Sequence, residues 1–310
     1  MKVLVTGGAG FIGSQIADSL IERGDQVIIV DNLSTGMLKH VSEHASFYNC
    51  DITSEQLSHV FELESPDYVI HHAAQIDVQK SMISPRDDAN INIIGTLNVL
   101  ENCKKYGVKK IVYASSAAVY GQPQSHSIDE NHPIAPISNY GISKYVPEIY
   151  IKTYQQLCGL KFTILRYANV YGVRQSSKGE GGAVSIFMDR VMRNQAITVY
   201  GDGNQTRDFV NVSDIVQANL MSLTSGDNQT FNVSTNTSLS INELIVAIET
   251  VAGIKPVVLY ENMRSGDIVH SRLDNHQIIK ALGWQPRIPI KQGLQEIINL
   301  ESNQNRVNSR

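Results

Sequence analysis

The segment "VTGGAGFIGS", residues 5 to 14, follows the apolar run "KVLVT" (2 to 6) and opens a stretch with helical character. Its three spaced glycines have separate uses. Gly7 permits a tight turn, Gly10 lets a pyrophosphate approach the backbone, and Gly13 lets the helix pack on the strand, with the phosphates at the positive helix end. A glycine triplet alone is a weak signal. Here the next apolar run, "QVIIVD" (26 to 31), ends in Asp31, 18 residues after Gly13. A carboxylate there accepts from the hydroxyls of an adenosine ribose and repels an extra phosphate, which favours NAD over NADP. A further run closes in "CDI" (50 to 52). Asp51 either meets the adenine edge or serves as a plain strand-end or helix-cap aspartate.

Working outward, "DYVIHHA" (67 to 73), "KKIVYAS" (109 to 115) and "KFTILRY" (161 to 167) continue the alternation of continuous apolar strands with helix-length segments. That rhythm belongs to a parallel sheet covered on both faces, so the fold class is α/β, a Rossmann-type doubly wound parallel sheet. After residue 167 the pattern changes to glycine-rich "SSKGEGGAV" (176 to 184) and "YGDGNQTRDF" (200 to 209), with helices expected at 213 to 225, 240 to 252 and 289 to 300. We expect a cofactor domain over 1–170, with 211–234 returning to it, and a smaller α/β C-terminal domain over 171–310 that carries the substrate loops. The polar tail 303–310 is expected to fray.

The 310 residues carry a net charge of −4 with a pI near 6.1, which argues against a general nucleic-acid or anionic-membrane binder. Any anion site must rest on a few placed arginines. Cys50, Cys103 and Cys158 show neither CxxC nor metal-like spacing, as expected of reduced thiols, and no metal site is expected. No apolar run approaches the ~18 residues of a membrane span, and the chain opens on a strand-like run with no secretory signal. A cytoplasmic location is expected.

Two tyrosines stand four residues ahead of a lysine, in "YGVKK" (106 to 110) and "YGISK" (140 to 144). On a helix such a pair shares one face, where an ammonium makes a phenol an easier proton donor and acceptor. With 13 tyrosines in the chain the pattern recurs by chance, so context decides. The ordered set "TGGAGFIG", "DNLSTG" (31 to 36), "HHAAQ" (71 to 75), "NIIGTLNVLE" (92 to 101), "ASSAAVYG" (114 to 121) and "YGISK" resembles the extended short-chain dehydrogenase/reductase family. "LRYANVYG" (165 to 172), "YGDGNQTRDFVNV" (200 to 212) and "RSGD" (264 to 267) are similar to its nucleotide-sugar 4-epimerase branch.

In that family the working tyrosine lies a little over twenty residues after a serine or threonine at a strand end, as Tyr140 does after Ser116. The resemblance therefore makes Ser116, Tyr140 and Lys144 catalytic. Tyr106 and Lys110 become a helix end and a strand start, with Gly107 as C-cap. Ser138 can cap the helix bearing Tyr140. Pro147 lies inside that helix and is expected to kink or loosen it.

Cofactor contacts are implied for Gly7, Gly10, Phe11, Ile12, Gly13, Asp31, Asn32, Ser34, Gly36, Asp51, Ile52, Ala73, Ala74, Gln75, Asn92, Tyr140, Lys144 and Tyr167. Substrate contacts are implied for Ser116, Tyr140, Asn169, Ala183, Val184, Val199, Tyr200, Arg207, Arg264, Asp267 and Ser271, with the two arginines gripping the diphosphate of a UDP-sugar. Tightly bound NAD and a homodimer complete the expectation. Ala117 and Ala118 stand where sugar-dehydrating relatives place acids, and neither can do acid or base work. Serine at 271 leaves room for an N-acetyl group, unless neighbouring loops close the space. A nucleotide-sugar reductase, a glucuronate-type epimerase and a non-catalytic NAD-binding protein remain open as alternatives, and nothing in the sequence reads the nucleotide base.

Overall fold

The computed structural model describes residues 1–177, 182–263 and 268–308. In chain order the first half contains β1 (Lys2–Thr6), α1 (Phe11–Glu22), β2 (Gln26–Asp31), β3 (Ser46–Asn49), α2 (Gln56–Glu64), β4 (Tyr68–His71), α3 (Val78–Ile83), α4 (Pro85–Ala89), α5 (Gly95–Lys105), β5 (Lys110–Ser116), α6 (Asn139–Cys158) and β6 (Lys161–Tyr167). The remainder contains β7 (Asn169–Tyr171), α7 (Ala183–Met192), β8 (Ile197–Tyr200), β9 (Thr206–Arg207), β10 (Phe209–Asn211), α8 (Val212–Ser222), β11 (Gln229–Val233), β12 (Leu239–Ser240), α9 (Ile241–Ala252), β13 (Val258–Glu261), α10 (His276–Leu282) and α11 (Ile290–Asn308).

Seven strands form one sheet in the order β11-β6-β5-β4-β1-β2-β3, every pairing parallel. The strands read as unbroken apolar runs because both faces are covered. Val3, Val5, Ile29, Val112 and Leu165 sit in one core layer, and Leu4, Ile28, Val69, Ile111 and Ile164 in the other. Chain order reverses between β1 and β4, so a crevice opens at the carboxyl ends of those two strands, the usual ligand position in such sheets. A separate core built on α7, α9 and α11 includes Phe187, Ile197, Leu244 and Leu294.

The structure departs from the sequence-based expectation in two places. The strand expected over 67–73 ends at His71, leaving His72 to Gln75 as a loop over the crevice. The tail is helical through Asn308, because α11 meets no glycine or proline beyond Gly293 that would stop it. Pro147 does not break its helix. α6 runs from Asn139 to Cys158 with Pro147 on its buried side, between buried Lys144, Glu148 and Ile151, and packing on both flanks holds the helix across the one missing donor. Gly107 follows α5 in the left-handed region, φ 70°, as its C-cap role requires.

Candidate active site

At the end of β1 the chain turns back on itself so tightly that only glycine fits. Gly7 has φ 69°, and a Cβ there would lie 2.7 Å from the Ala73 backbone nitrogen. One turn into α1, a Cβ on Gly13 would lie 2.2 Å from the Gly7 carbonyl oxygen, so helix and turn meet backbone to backbone. Gly10 is the N-cap of α1 and supplies no side-chain cap, and the first turn has no acidic residue. The leading N–H groups, including those of Phe11 and Ile12, thus face the crevice mouth with the helix's positive end behind them. That donor set fits a pyrophosphate.

Asp31 closes β2 and is 8% exposed. Its Oδ2 accepts from the Ala9 backbone N–H at 3.0 Å and its Oδ1 from that of Leu33 at 2.8 Å. A Cβ on Gly36 would come 2.8 Å from Asp31 Oδ1, so this glycine leaves the carboxylate room. Two oxygens offer about four acceptor positions, so capacity remains for ribose hydroxyls. Asn32 Oδ1 accepts from Ser34 N–H at 3.0 Å, and its Nδ2 donates to Asp51 Oδ2 at 2.7 Å. Asp51 Oδ1 takes the Thr53 N–H at 2.8 Å and hydroxyl at 2.7 Å. These bonds hold the Asp51 carboxylate at the strand end next to Asn32. Ile52 lies under α5, where Gly95 leaves its side chain space.

Ser116, Tyr140 and Lys144 are carried by two turns that touch. Ser116 ends β5 and caps the short 3₁₀ turn Ala117–Val119, its Oγ accepting from Ala118 N–H at 3.2 Å. Ser138 caps α6 by accepting from Gly141 N–H at 3.1 Å. A Cβ on Gly141 would sit 2.6 Å from the Ala118 carbonyl oxygen, so the turn after Ser116 lies directly on the first turn of α6. Tyr140 N–H donates to Ser81 Oγ at 3.1 Å, which pins that turn from the other side. Lys144, one turn on, is buried, with its ammonium 4.8 Å from the centroid of the Tyr113 ring. Burial pushes the lysine down to about 8, against the pull of the Glu148 and Asp88 carboxylates.

Beside the trio lies polar structure that sequence reasoning missed. Thr96 Oγ1 donates to the Asn92 carbonyl at 2.6 Å, so it must accept from His71 Nε2 at 2.9 Å, which leaves His71 Nδ1 to accept from Thr6 Oγ1 at 2.6 Å. His71 is therefore neutral, and burial lowers it to about 3. Its neighbour His72, lowered by burial to about 4, stacks on Tyr167 with centroids 5.8 Å apart and reaches Asn219 Oδ1 at 3.2 Å. Tyr167 accepts from Asn219 Nδ2 at 2.8 Å and is buried in this network. One turn further along the buried face of α6, Arg166 donates to Glu148 through Nε at 3.0 Å and Nη2 at 2.6 Å, and Ser115 Oγ donates to the same carboxylate at 2.6 Å. An arginine inside the apolar strand "KFTILRY" was the available signal, since a buried strand charge requires a carboxylate partner.

Toward the second core, β9 carries Arg207, whose Nη1 donates to the Thr206 carbonyl at 2.8 Å, and Ser271 N–H donates to the same carbonyl at 3.2 Å. Arg207 and Ser271 thus lie on adjoining chain segments. Asn169 stands exposed on β7, Ala183 and Val184 begin α7, and Val199 and Tyr200 end β8. An open cleft of about 400 Å³ follows Tyr200, lined by residues that include Asp202, Gln205, Met263 and His270. Arg264 and Asp267 lie outside the described residues. Among the described residues no three His, Cys, Asp or Glu side chains are placed to hold a metal, and no helix is long and apolar enough to cross a membrane.

Comparison with known proteins places these features in company. Residues 3–234 match the model of the NAD dependent epimerase/dehydratase family. The UDP-glucose 4-epimerase of Thermotoga maritima, solved with UDP-glucose, is 41% identical, with 98% of this chain and 100% of that chain covered and a TM-score of 0.96. The UDP-glucose 4-epimerase of Thermus thermophilus, solved with NAD, is 38% identical over 96% of this chain and 98% of that one, TM-score 0.93. A UDP-N-acetylglucosamine 4-epimerase of Methanobrevibacter ruminantium, in complex with UDP-N-acetylmuramic acid, is 33% identical over 98% of both chains, TM-score 0.93.

Proposed function

This chain belongs to the NAD dependent epimerase/dehydratase family, and from that premise we propose that it is an isomerase that inverts carbon 4 of a UDP-sugar, interconverting UDP-glucose and UDP-galactose. The observation that supports the reading is the seating of Gly141 on the Ala118 carbonyl, which brings the turn after Ser116 against the first turn of α6, where Tyr140 stands one turn before Lys144.

NAD is held by the N-terminal amides of α1, by Asp31, and by the loop from Ala73 through Ala74 to Gln75. When bound, it supplies the acceptor and then the donor of the electron pair that leaves and returns to sugar carbon 4. Tyr140 takes the proton of the 4-hydroxyl and gives it back once the keto sugar has turned over in the site. The positive charge of Lys144 and the N-terminus of α6 favour the phenolate that does this. Ser116 holds the reacting oxygen within hydrogen-bond reach of the phenol. With alanines at 117 and 118 there is no acid to expel a neighbouring hydroxyl, so the keto sugar is not dehydrated.

Arg207 grips the diphosphate as a guanidinium fork, with Arg264, Asp267 and Asn169 as further substrate contacts. We assign residues 1–170 with 211–234 to the cofactor domain, an assignment supported by β11 completing the seven-stranded sheet. The rest forms the substrate domain. A cytoplasmic setting fits the reduced cysteines.

Incubation without added cofactor, followed by NMR of the anomeric protons, is expected to show UDP-glucose approaching equilibrium with UDP-galactose. No change in the spectrum even after NAD is supplied would overturn the assignment. UDP-N-acetylglucosamine is expected to react as well, because Ser271 is small. Ser271→Tyr should reduce turnover of the N-acetylated sugar by about 10²-fold while UDP-glucose changes by less than about threefold. Equal losses on both sugars would remove Ser271 from the specificity role.

The chain also acts as a homodimer in this reading. Along α6, Ile142, Ile149, Tyr150 and Leu157 are exposed, and Ile94 is exposed on the segment that leads into α5. Such a stripe on two neighbouring helices suits a four-helix contact. Light scattering should give twice the 34.3 kDa chain mass, and Ile149→Asp should shift it toward that of one chain. A monomer at all concentrations would refute the dimer.

A further inference from the structure

Asp88 is 1% exposed and has no part in the chemistry assigned above. It lies near the end of α4, just before the π-helical turn Asn90–Ile94. In that turn the Gly95 N–H reaches back to the Asn90 carbonyl, while the Thr96 hydroxyl donates to the Asn92 carbonyl at 2.6 Å. The widened turn places the Asn92 side chain between three segments. Its Oδ1 accepts from Gln75 N–H at 2.8 Å, and its Nδ2 donates to the Gln75 carbonyl at 2.9 Å and to Ser143 Oγ at 2.9 Å. Asp88 Oδ1 accepts from Gln75 Nε2 at 2.8 Å and from Asn92 Nδ2 at 3.3 Å. A carboxylate only accepts, so it receives the NH₂ side of both amides, whose oxygens are held by the backbone N–H groups of Gln75, on Asn92 Oδ1, and of Asp77, on Gln75 Oε1. Ser143, the end of this chain of bonds, directly precedes Lys144 on α6.

Charge leads to the same place. The groups acting on the Lys144 ammonium are Glu148 on its own helix, Asp88 from α4, the Tyr113 ring on β5, and His71 and His72 at the end of β4. The histidines are neutral above about pH 4, and burial raises the Tyr113 phenol well beyond the usual range, so neither supplies negative charge. Glu148 is already matched by the bidentate Arg166. Asp88 takes part in no ion pair among the described residues.

We propose that Asp88 is a positioning residue and counter-charge for Lys144: it anchors the NH₂ groups of the Gln75 and Asn92 amides that tie the crevice loop to α6, and it helps keep the buried lysine protonated. The kinetic consequence rests on the epimerase reading, whereas the electrostatic one does not. The test is Asp88→Asn, which retains size and an acceptor oxygen and removes only the charge. In the NAD-loaded protein, kcat for UDP-glucose should lose its alkaline limb about one pH unit lower than in the parent, with less than about threefold change near pH 6.5. Independently of turnover, the phenolate absorbance of Tyr140, taken as the difference from Tyr140→Phe, should appear at higher pH in the variant. Asp88→Glu restores the charge and should return both limbs to within a few tenths of a unit.

A uniform loss at every pH, or an unmoved limb and phenolate titration, overturns the proposal. If the parent does not epimerise at all, the functional reading fails, yet the tyrosine titration still decides the role of Asp88. Should Asp88→Asn not fold, Asp88→Glu alone decides, since a limb shifted despite the retained charge refutes the counter-charge.

Discussion

Tyr140→Phe is expected to lower epimerisation of UDP-glucose by about 10³-fold while leaving the fold and the bound NAD in place. The expectation follows from how the residue is held. Its backbone N–H is fixed by Ser81, its turn is capped by Ser138, and the neighbouring Gly141 lies against the Ala118 carbonyl, none of which involves the phenol oxygen. Removing that oxygen therefore removes the proton acceptor without releasing the helix. A phenyl ring cannot take the 4-hydroxyl proton, and water in that position would be a far weaker base than a phenolate beside an ammonium. Turnover followed by NMR, together with NAD content after denaturation, checks both halves. Activity within tenfold of the parent would mean that another group is the base, and loss of NAD would mean that the phenol has a larger part in holding the cofactor than its geometry implies.

The parts of this molecule that were legible in sequence are those where backbone geometry permits one residue type. Gly7, Gly13 and the strand-end Asp31 announce the cofactor crevice because no other side chain fits the turn or supplies the acceptor. The parallel sheet was legible because burial on both faces demands continuous apolar strands. The choice of Tyr140 over Tyr106 came from spacing to Ser116, and the structure places Tyr106 at the end of α5 with its hydroxyl 3.1 Å from Ser58 Oγ, away from the crevice. Pro147 was legible as a missing N–H inside α6, but not the buried Lys144, Glu148 and Ile151 beside it, through which the helix continues. His71, Asp88, Glu148 and Arg166 were not found because each gains its meaning from a partner distant in sequence or across a helix turn. Arg264 and Asp267 lie outside the described residues, and their roles stay with the sequence reading.

Glu148→Ala is expected to destabilise the protein by about 3–5 kcal/mol, a large share of the roughly 5–15 kcal/mol that holds a typical domain folded. Glu148 is fully buried, and its carboxylate is the sole ion-pair partner of Arg166 among the described residues, itself 3% exposed. Truncation leaves a guanidinium inside the protein with the Tyr120 hydroxyl, at 2.9 Å, and the Glu130 carbonyl, at 3.5 Å, as its remaining acceptors. It also strands the Ser115 hydroxyl, which donates to Glu148 Oε1 at 2.6 Å. The cost is that of an uncompensated charge rather than the value of the pair, and a second variant separates the two. Glu148→Leu combined with Arg166→Met removes both charges at similar volume, and it should recover most of the lost stability in urea unfolding. A single variant within about 1 kcal/mol of the parent would show that water or rearrangement satisfies Arg166, and that the ion pair across α6 and β6 is not what holds α6 to the sheet.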